Sequence, residues 1–378
     1  METFIIYLLI ASVLTQSYYI LFIFSRLASF NHSSTQALKH SNTQPVSVIV
    51  CAHNELSNLK ELLPKLLKQD HQNYEMIIVD DRSDDGTFDY VKNLAVLKII
   101  RINKTPPKMN PKKYALTQGI KSAKYDLLLF TDADCIPVSD SWISEMQKRF
   151  SNGTEIVLGY SQYLKVHSAI LNSLIRYETL YTAIQYLSFA LINKPYMGVG
   201  RNLAYKKELF LKHGGFASHK QITGGDDDLF VNSAWRMEHG TGHRAPYSNV
   251  AISINKESQT ISKPKENIYQ WFIQKKRHLA AGKYYKTTDK IRLALLFISQ
   301  LFFYISVVWL LISQKFLLIA AVCFILRTSL ILFTFAQIIK KLGDTTKWYL
   351  IPLLDPLYVV YYFFIGTIAL FSKKIRWN

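Results

Sequence analysis

The chain has 378 residues, 49% of them hydrophobic, and a formal net charge of +18. That length gives room for one large catalytic domain with appendages. Its three cysteines, Cys51, Cys135 and Cys323, have no paired spacing, which argues against a disulfide framework or a zinc site. The basic excess is compatible with nucleic acid, an anionic membrane surface or a phosphorylated substrate. Without zinc-finger spacing or an aromatic RNA-binding motif, and with apolar runs at both ends, no nucleic acid is expected as a partner.

Residues 4–24 contain no charged residue and are long enough to cross a bilayer as a helix, so residues 1–26 are expected to be an N-terminal transmembrane segment. A cleavable signal is disfavoured by Glu2, the lack of a leading Lys or Arg, and the lack of a clear small-x-small site. After a polar stretch over residues 31–44, the β-branched run 46–50 reads as a buried strand. Residues 51–55 form a turn, and Leu59, Leu62, Leu63, Leu66 and Leu67 give 56–67 a helical spacing. A second strand over 75–79 ends in Asp80-Asp81-Arg82-Ser83-Asp84-Asp85-Gly86-Thr87. A strand near 97–101, a helix near 112–123 and an apolar strand over 127–130 follow.

That last strand runs into Thr131-Asp132-Ala133-Asp134. Two aspartates at i, i+2 on a strand project to one face, where they can hold a hard divalent cation and, through it, a diphosphate. The strand-helix alternation argues an α/β fold, a mostly parallel sheet covered by helices on both faces. Ligands of such sheets bind outside the carboxyl ends of the strands. Asn54-Glu55, Asp80-Asp81 and Asp132/Asp134 all fall at strand ends and should converge on one crevice. Asp80, Asp84 and Asp85 are better explained by turn formation and capping before a helix near Thr87.

Farther on, residues 169–191 are apolar with few charges (Arg176, Glu178). They read as an interfacial amphipathic helix over an acceptor site, with an ordinary core helix almost as well supported. Gly224-Gly225-Asp226-Asp227-Asp228 precedes a helix running through Trp235 and is either a helix cap or a functional cluster. His167, His213, His219, His239 and His243 have no metal spacing. Residues 293–314 and 316–339, the latter broken only by Arg327, are further apolar runs, as is 348–371, which carries Pro352, Asp355 and Pro356. Lys340-Lys341 and Lys373-Lys374 at the ends of these runs favour the cytoplasmic side. Yet three crossings after a cytoplasmic domain leave Lys373, Lys374 and Arg376 outside, against the positive-inside tendency, so a re-entrant or interfacial last segment stands as an alternative to a third crossing.

Taken together in order, Val48-Ile49-Val50-Cys51-Ala52-His53-Asn54-Glu55, Val79-Asp80-Asp81-Arg82-Ser83-Asp84-Asp85-Gly86-Thr87 and Phe130-Thr131-Asp132-Ala133-Asp134 resemble the donor half of a family 2 glycosyltransferase of the membrane-bound bacterial type, with the GT-A fold. Lys112-Lys113-Tyr114-Ala115-Leu116-Thr117-Gln118-Gly119 is similar to the family's Gly-Lys-x-x-Ala-Leu-Asn-x-Gly stretch, with Pro111 in place of the glycine. The resemblance covers roughly residues 45–285.

It implies that Asp81 binds the uracil and ribose of a UDP-sugar, with Ala52, His53 and Glu55 beside the base and Lys112 toward the donor. Asp134 is implied as the main ligand of Mg²⁺ or Mn²⁺, with Asp132 near the ribose and the metal. Counting back from Leu229 puts Asp226 at the catalytic-base position, with Asp227 a one-residue alternative; Gly225 replaces the family's glutamate. Gln274-Lys275-Lys276-Arg277-His278 resembles the Gln-x-x-Arg-Trp motif, which implies an acceptor and diphosphate role for Gln274, Arg277 and His278. His278 in place of the tryptophan argues against processive polymerisation. The basic residues there are otherwise explained by lipid headgroups. Gly198-Val199-Gly200-Arg201-Asn202-Leu203-Ala204-Tyr205 looks like the loop bearing on the donor sugar.

The expected organisation is a transmembrane segment (1–26), a nucleotide-sugar-binding half (45–160), an acceptor-binding half with interfacial helices (161–290) and a transmembrane region of about three helices (291–372). The expected function is metal-dependent, inverting transfer of a sugar from a UDP-sugar to a lipid or lipid-linked acceptor, at the inner membrane with the catalytic domain cytoplasmic. A processive polysaccharide synthase and a non-catalytic nucleotide-sugar-binding membrane partner are the alternatives.

Overall fold

The computed structural model describes residues 2–31, 43–151, 153–166, 170–235 and 250–372. Most of the polar stretch after residue 31, as well as His167, His239, His243, Lys373, Lys374 and Arg376, lies outside them. The chain divides into an α/β unit (33–164 and 193–265) and a helical unit (1–32, 165–192 and 266–372).

The α/β unit is built on a seven-stranded sheet. Its strands are β1 (Val46–Ala52), β2 (Tyr74–Asp81), β3 (Lys98–Ile102), β4 (Leu127–Phe130), β6 (Ile156–Gly159), β8 (Leu203–Lys206) and β9 (Val250–Ser253), in the order β3-β2-β1-β4-β8-β6-β9. β1 to β4 are mutually parallel, β8 runs antiparallel to both β4 and β6, and β9 is parallel to β6. The parallel part is the one the alternation of strand and helix predicts. β1 is buried along almost its whole length, as a strand covered on both faces must be. Helix Leu56–Leu67 places Leu59, Leu62, Leu63 and Leu66 in the core under β1. Three short strands, β5 (Cys135–Pro137), β7 (Ser161–Tyr163) and β10 (Thr260–Ser262), form a second sheet in the order β5-β10-β7.

Register carries the strand ends to one edge. Ala52 of β1 pairs with Asp80 of β2, and Ile49 of β1 pairs with Phe130 of β4. Helix Pro111–Ser122 begins at Asn110, whose side chain accepts the Lys113 N–H, with Pro111 in the first turn where its missing N–H costs nothing. Gly119 lets this helix sit low on the sheet: a Cβ there would lie 2.9 Å from Ile49 and 3.0 Å from Val79.

In the helical unit, Glu2–Tyr18 continues through a π-helical turn, Tyr19–Phe24, into Ser25–Ser29. Among the described residues, four helices are long and apolar enough to cross a membrane: Glu2–Ser29, Thr287–Ser313, Leu317–Leu342 and Trp348–Phe371. The last is helical from Ile351 to Phe371, with Pro352 in its first turn and Pro356 inside it, and the Asp355 charge is met by Arg327 at 2.6 Å. Tyr177 and Tyr304 also donate to Asp355, and Arg327 reaches Gln16 and Tyr304, so the pair joins five helices.

Helix Ile170–Leu191 differs from the amphipathic expectation. It is buried on most of its surface, and its polar groups are paired within the unit: Arg176 with Asp344 and Thr345, Glu178 with Lys275. A helix buried all round packs as a core helix. Residues 161–290 are thus shared between the two units.

Candidate active site

The carboxyl ends of β1 and β4, with β8 beside them, open onto a small pocket lined by Ile49, Cys51, Lys112, Leu116, Phe130, Thr131, Asp132, Gly200, Leu203, Tyr205, Asp226 and Asp227. Phe130 and Tyr205 stack at its base, ring centroids 4.6 Å apart.

Lys112 stands at the centre. Its Nζ lies 3.0 Å from Asp132 Oδ1 and 3.1 Å from Asp226 Oδ2. Burial works against its charge, but Asp132, Asp226 and Asp227 more than offset it and hold the ammonium well above the usual lysine range. Burial raises the Asp226 carboxyl in turn, and Lys112 outweighs that and keeps it below its ordinary value. For Asp227 the balance is opposite: burial and then the Asp226 charge push it up. The two acids also point to different partners. Asp227 caps the helix Asp228–Ala234, its Oδ1 accepting the Asp228 N–H, while Oδ2 accepts the Gly200 N–H at 2.7 Å. Both Asp227 oxygens are therefore used by backbone.

Gly225 explains the departure from the Glu-Asp pattern. Its φ is +75°, and a Cβ would lie 2.4 Å from the Leu229 side chain. A glutamate has no room in this backbone.

Asp132 and Asp134 are not on the strand. β4 ends at Phe130, and the two acids sit in a turn closed by the Cys135 N–H to the Asp132 carbonyl. They converge nonetheless: ligand atoms of Asp132, Asp134 and Cys135 lie within 4.8 Å of one another. Burial, with the Asp134 and Asp132 charges, pushes the Cys135 thiol well above its usual range, so it stays protonated, against Ser262 Oγ at 2.9 Å. Two partly exposed carboxylates suit a hard divalent cation; a thiol, a soft ligand, suits it poorly. Glu55 faces the same cluster. Burial raises its carboxyl against the pull of Asn58, and Asp134 and Asp132 raise it further.

The loops after β1 and β2 are laced together. His53 Nδ1 lies 2.6 Å from the Asp81 carbonyl, Asn54 N–H donates to Ser83 Oγ, Asp84 N–H donates to Asn54 Oδ1 and Glu55 N–H donates to Thr87 Oγ1. Asp85 accepts from Leu56 and Thr87, a turn-forming role. Asp81 is buried and forked by Arg82, at 2.8 and 3.3 Å. Asp80 is not a cap; it is buried beside Arg101, its register partner on β3, and burial raises its carboxyl.

Ala52, His53, Glu55, Asp81, Lys112, Asp132, Asp134, Asp226 and Asp227 all belong to the α/β unit. Gln274, Arg277 and His278 belong to the helical unit, on helix Ile268–Ala281, where His278 is exposed and Gln274 and Arg277 are half-buried. Three residues quoted in the sequence only within longer stretches, with no role of their own, have defined places in the fold. Asn202 is a buried hub that accepts from Trp142 and donates to the carbonyls of Tyr160 and Ser258. Arg201 lies over the Tyr163 ring and donates to Ser262. Lys113 is fully buried. No local periodicity marks these positions, whose partners are distant in sequence.

Residues 47–214 match the family described as Glycosyl transferase family 2. The chain carries a domain of that family. Over 126 residues it is 28% identical to a poly-beta-1,6-N-acetyl-D-glucosamine synthase of Staphylococcus epidermidis, a match covering 32% of this chain and 29% of that protein. Over 124 residues it is 32% identical to a dolichol-phosphate mannosyltransferase of Pyrococcus furiosus, covering 32% of this chain and 34% of the relative. An undecaprenyl-phosphate 4-deoxy-4-formamido-L-arabinose transferase of Aeromonas hydrophila is 30% identical over 101 residues, 26% of this chain and 31% of the other. The chain spans about a third of the length of these curated relatives. Among solved structures, the mannosyltransferase PcManGT from Pyrobaculum calidifontis, in complex with GDP-Man and Mn2+, matches over 99% of both chains with a TM-score of 0.61 and 17% identity. That likeness shows the same GT-A fold.

Proposed function

We propose that this protein is an inverting glycosyltransferase that moves a sugar from a UDP-sugar to a lipid or lipid-linked acceptor at a membrane, with the α/β unit on the cytoplasmic side. The observation that carries the reading is the Lys112 bridge between Asp132, at the end of β4, and Asp226, ahead of the next acidic cap. It joins an acid suited to the donor with an acid suited to the acceptor in one pocket.

Asp134 and Asp132 would hold a divalent cation, Mg²⁺ or Mn²⁺; when bound, that ion offsets charge on the diphosphate leaving group. Asp81, with Ala52 and His53, would accept from the nucleoside, its carboxylate already aligned by Arg82. Asp226 acts as the base. It takes the proton of an acceptor hydroxyl while that oxygen bonds to the anomeric carbon and the carbon–oxygen bond to the diphosphate breaks on the opposite face. Asp226 suits this task because its carboxyl is held ionised beside Lys112, whereas both Asp227 oxygens are engaged by backbone. Arg277, with Gln274 and His278, is assigned to the acceptor and diphosphate side.

The similarity to a polysaccharide synthase keeps polymerisation as the second reading. An exposed imidazole at 278 offers less stacking surface to a growing chain than an indole. The test uses purified protein or membranes, a panel of UDP- and GDP-sugars and a lipid extract, with and without Mn²⁺. Metal-dependent transfer of one sugar to a lipid supports the reading; a ladder of many sugars supports the synthase. Nucleotide-sugar binding with no transfer to any acceptor overturns both.

A further inference from the structure

The first turn of helix Pro111–Ser122 does two things with adjacent lysines. Lys112 touches the Asp226 carboxylate; Lys113 touches the chain that leads to it. Lys113 is 0% exposed, and its Nζ donates to the carbonyls of His219 at 2.8 Å and Ile222 at 3.0 Å. The Asn110 N–H donates to the Lys220 carbonyl at 2.7 Å, so residues 110 and 113 grip the 219–222 segment at three points. Four residues later comes Asp226, reached through Gly224 and Gly225, both at positive φ (+77° and +75°). Two left-handed glycines give the chain freedom to swing, and the grip fixes where that swing begins. Burying an ammonium on neutral carbonyls is costly, and an apolar residue would avoid that cost. The burial lowers the Lys113 ammonium to about 8. A lysine kept there against this penalty has a task that an apolar residue cannot perform.

We propose that Lys113 is a positioning residue for the base. By pinning the His219 and Ile222 carbonyls to the helix that carries Lys112, it sets the distance between Asp226 and the donor pocket. The inference rests on Asp226 as the base proposed above. It predicts a split between binding and turnover. The groups proposed to hold the nucleotide and its metal follow β1, β2 and β4 and lie outside the pinned 219–222 segment, so nucleotide affinity should be unaffected. Turnover needs Asp226 in place.

The experiment compares Lys113→Met and Lys113→Arg in the full-length protein, using UDP or GDP, whichever binds the wild type, with Mn²⁺. Lys113→Met should lower kcat about 100-fold, the scale of a misplacement of about 1 Å. Its nucleotide Kd should stay within about twofold of wild type, and Lys113→Arg, which still donates to both carbonyls, should recover most of the loss. Hydrogen exchange at amides 219–226 should rise in Lys113→Met and not in Lys113→Arg; this arm is read whether or not an acceptor has been found, so it separates failure of the positioning role from failure of the transferase reading. A Lys113→Met protein with kcat within about threefold of wild type, or with nucleotide binding lost in step with kcat, overturns the proposal. Unchanged exchange over 219–226 does the same. Should Lys113→Met fail to fold, Lys113→Gln is held to the same criteria.

Discussion

The Asp227 carboxylate accepts the backbone N–H of Gly200 at 2.7 Å, tying the start of the acidic cap to the loop that enters β8. Its neighbour Asp226 instead faces a lysine. Asp227→Ala leaves the N–H groups of Gly200 and Asp228 without this acceptor and should cost about 1–3 kcal/mol of stability, read by thermal unfolding in detergent. Asp226→Asn removes one of the two carboxylates paired with Lys112 and should lower turnover far more than its loss of stability accounts for. For an acceptor hydroxyl the loss should reach about 10²–10⁴ in kcat. A lipid phosphate acceptor already carries its charge and needs no base, so a mild Asp226→Asn effect would identify that acceptor class.

Metal dependence should divide the cluster at 132–135. Asp134→Ala and Asp132→Ala are expected to raise the Mn²⁺ concentration for half-maximal activity by at least about tenfold, because each removes a hard oxygen ligand. Cys135→Ser should leave the Mn²⁺ titration where it is. A shift in that variant equal to the shift in Asp134→Ala would make the sulfur a ligand.

His219 predicts a pH dependence of stability. Burial, and then the Lys113 and His213 charges, lower it to about 4 against the pull of Asp226. Its unfolded value is about 6.5. A group with a depressed folded pKa contributes stability that is fully present above about pH 6.5 and is lost as pH falls toward 4, since the unfolded chain then binds more protons. His219→Asn should therefore show a smaller drop in melting temperature between pH 7 and pH 5 than wild type. Equal drops would remove His219 from the account.

In the helical unit the Arg327–Asp355 pair makes a non-additive prediction. Arg327→Met alone strands a buried carboxylate and should cost about 3–5 kcal/mol. Arg327→Met with Asp355→Leu should recover most of it, measured as thermal stability in detergent. Additive losses would mean that the two charges act independently.

The parallel half of the sheet was legible because buried strands have a local signature: runs such as Val46 to Val50 and Leu127 to Phe130 need no distant partner to be read. The antiparallel strand β8 and the strands β6 and β9 beyond it were not, since their pairing depends on partners far along the chain. The acid pair at 132 and 134 was placed on a strand that stops two residues short, as the apolar run continues to Phe130 but the hydrogen-bond ladder goes no farther. Asp226 and Asp227 were indistinguishable by counting. Their difference lies in what they face, Lys112 for one and two backbone amides for the other, and neither partner has a fixed offset from them in sequence. The burial of Lys113 was not legible within its motif because lysines usually face solvent.

Gly119 gives the pocket around Lys112 a remote fulcrum. An interior glycine costs a helix about 1 kcal/mol relative to alanine, and here it lets the backbone rest directly on Ile49 and Val79. Two turns upstream the same rigid rod delivers Lys112 to its carboxylates. A methyl group at 119 would strengthen the helix as a helix and tilt the rod off the sheet, lifting the ammonium from Asp132 and Asp226. Selection for a firmer scaffold and selection for a working pocket therefore pull in opposite directions at a residue that touches neither substrate nor base.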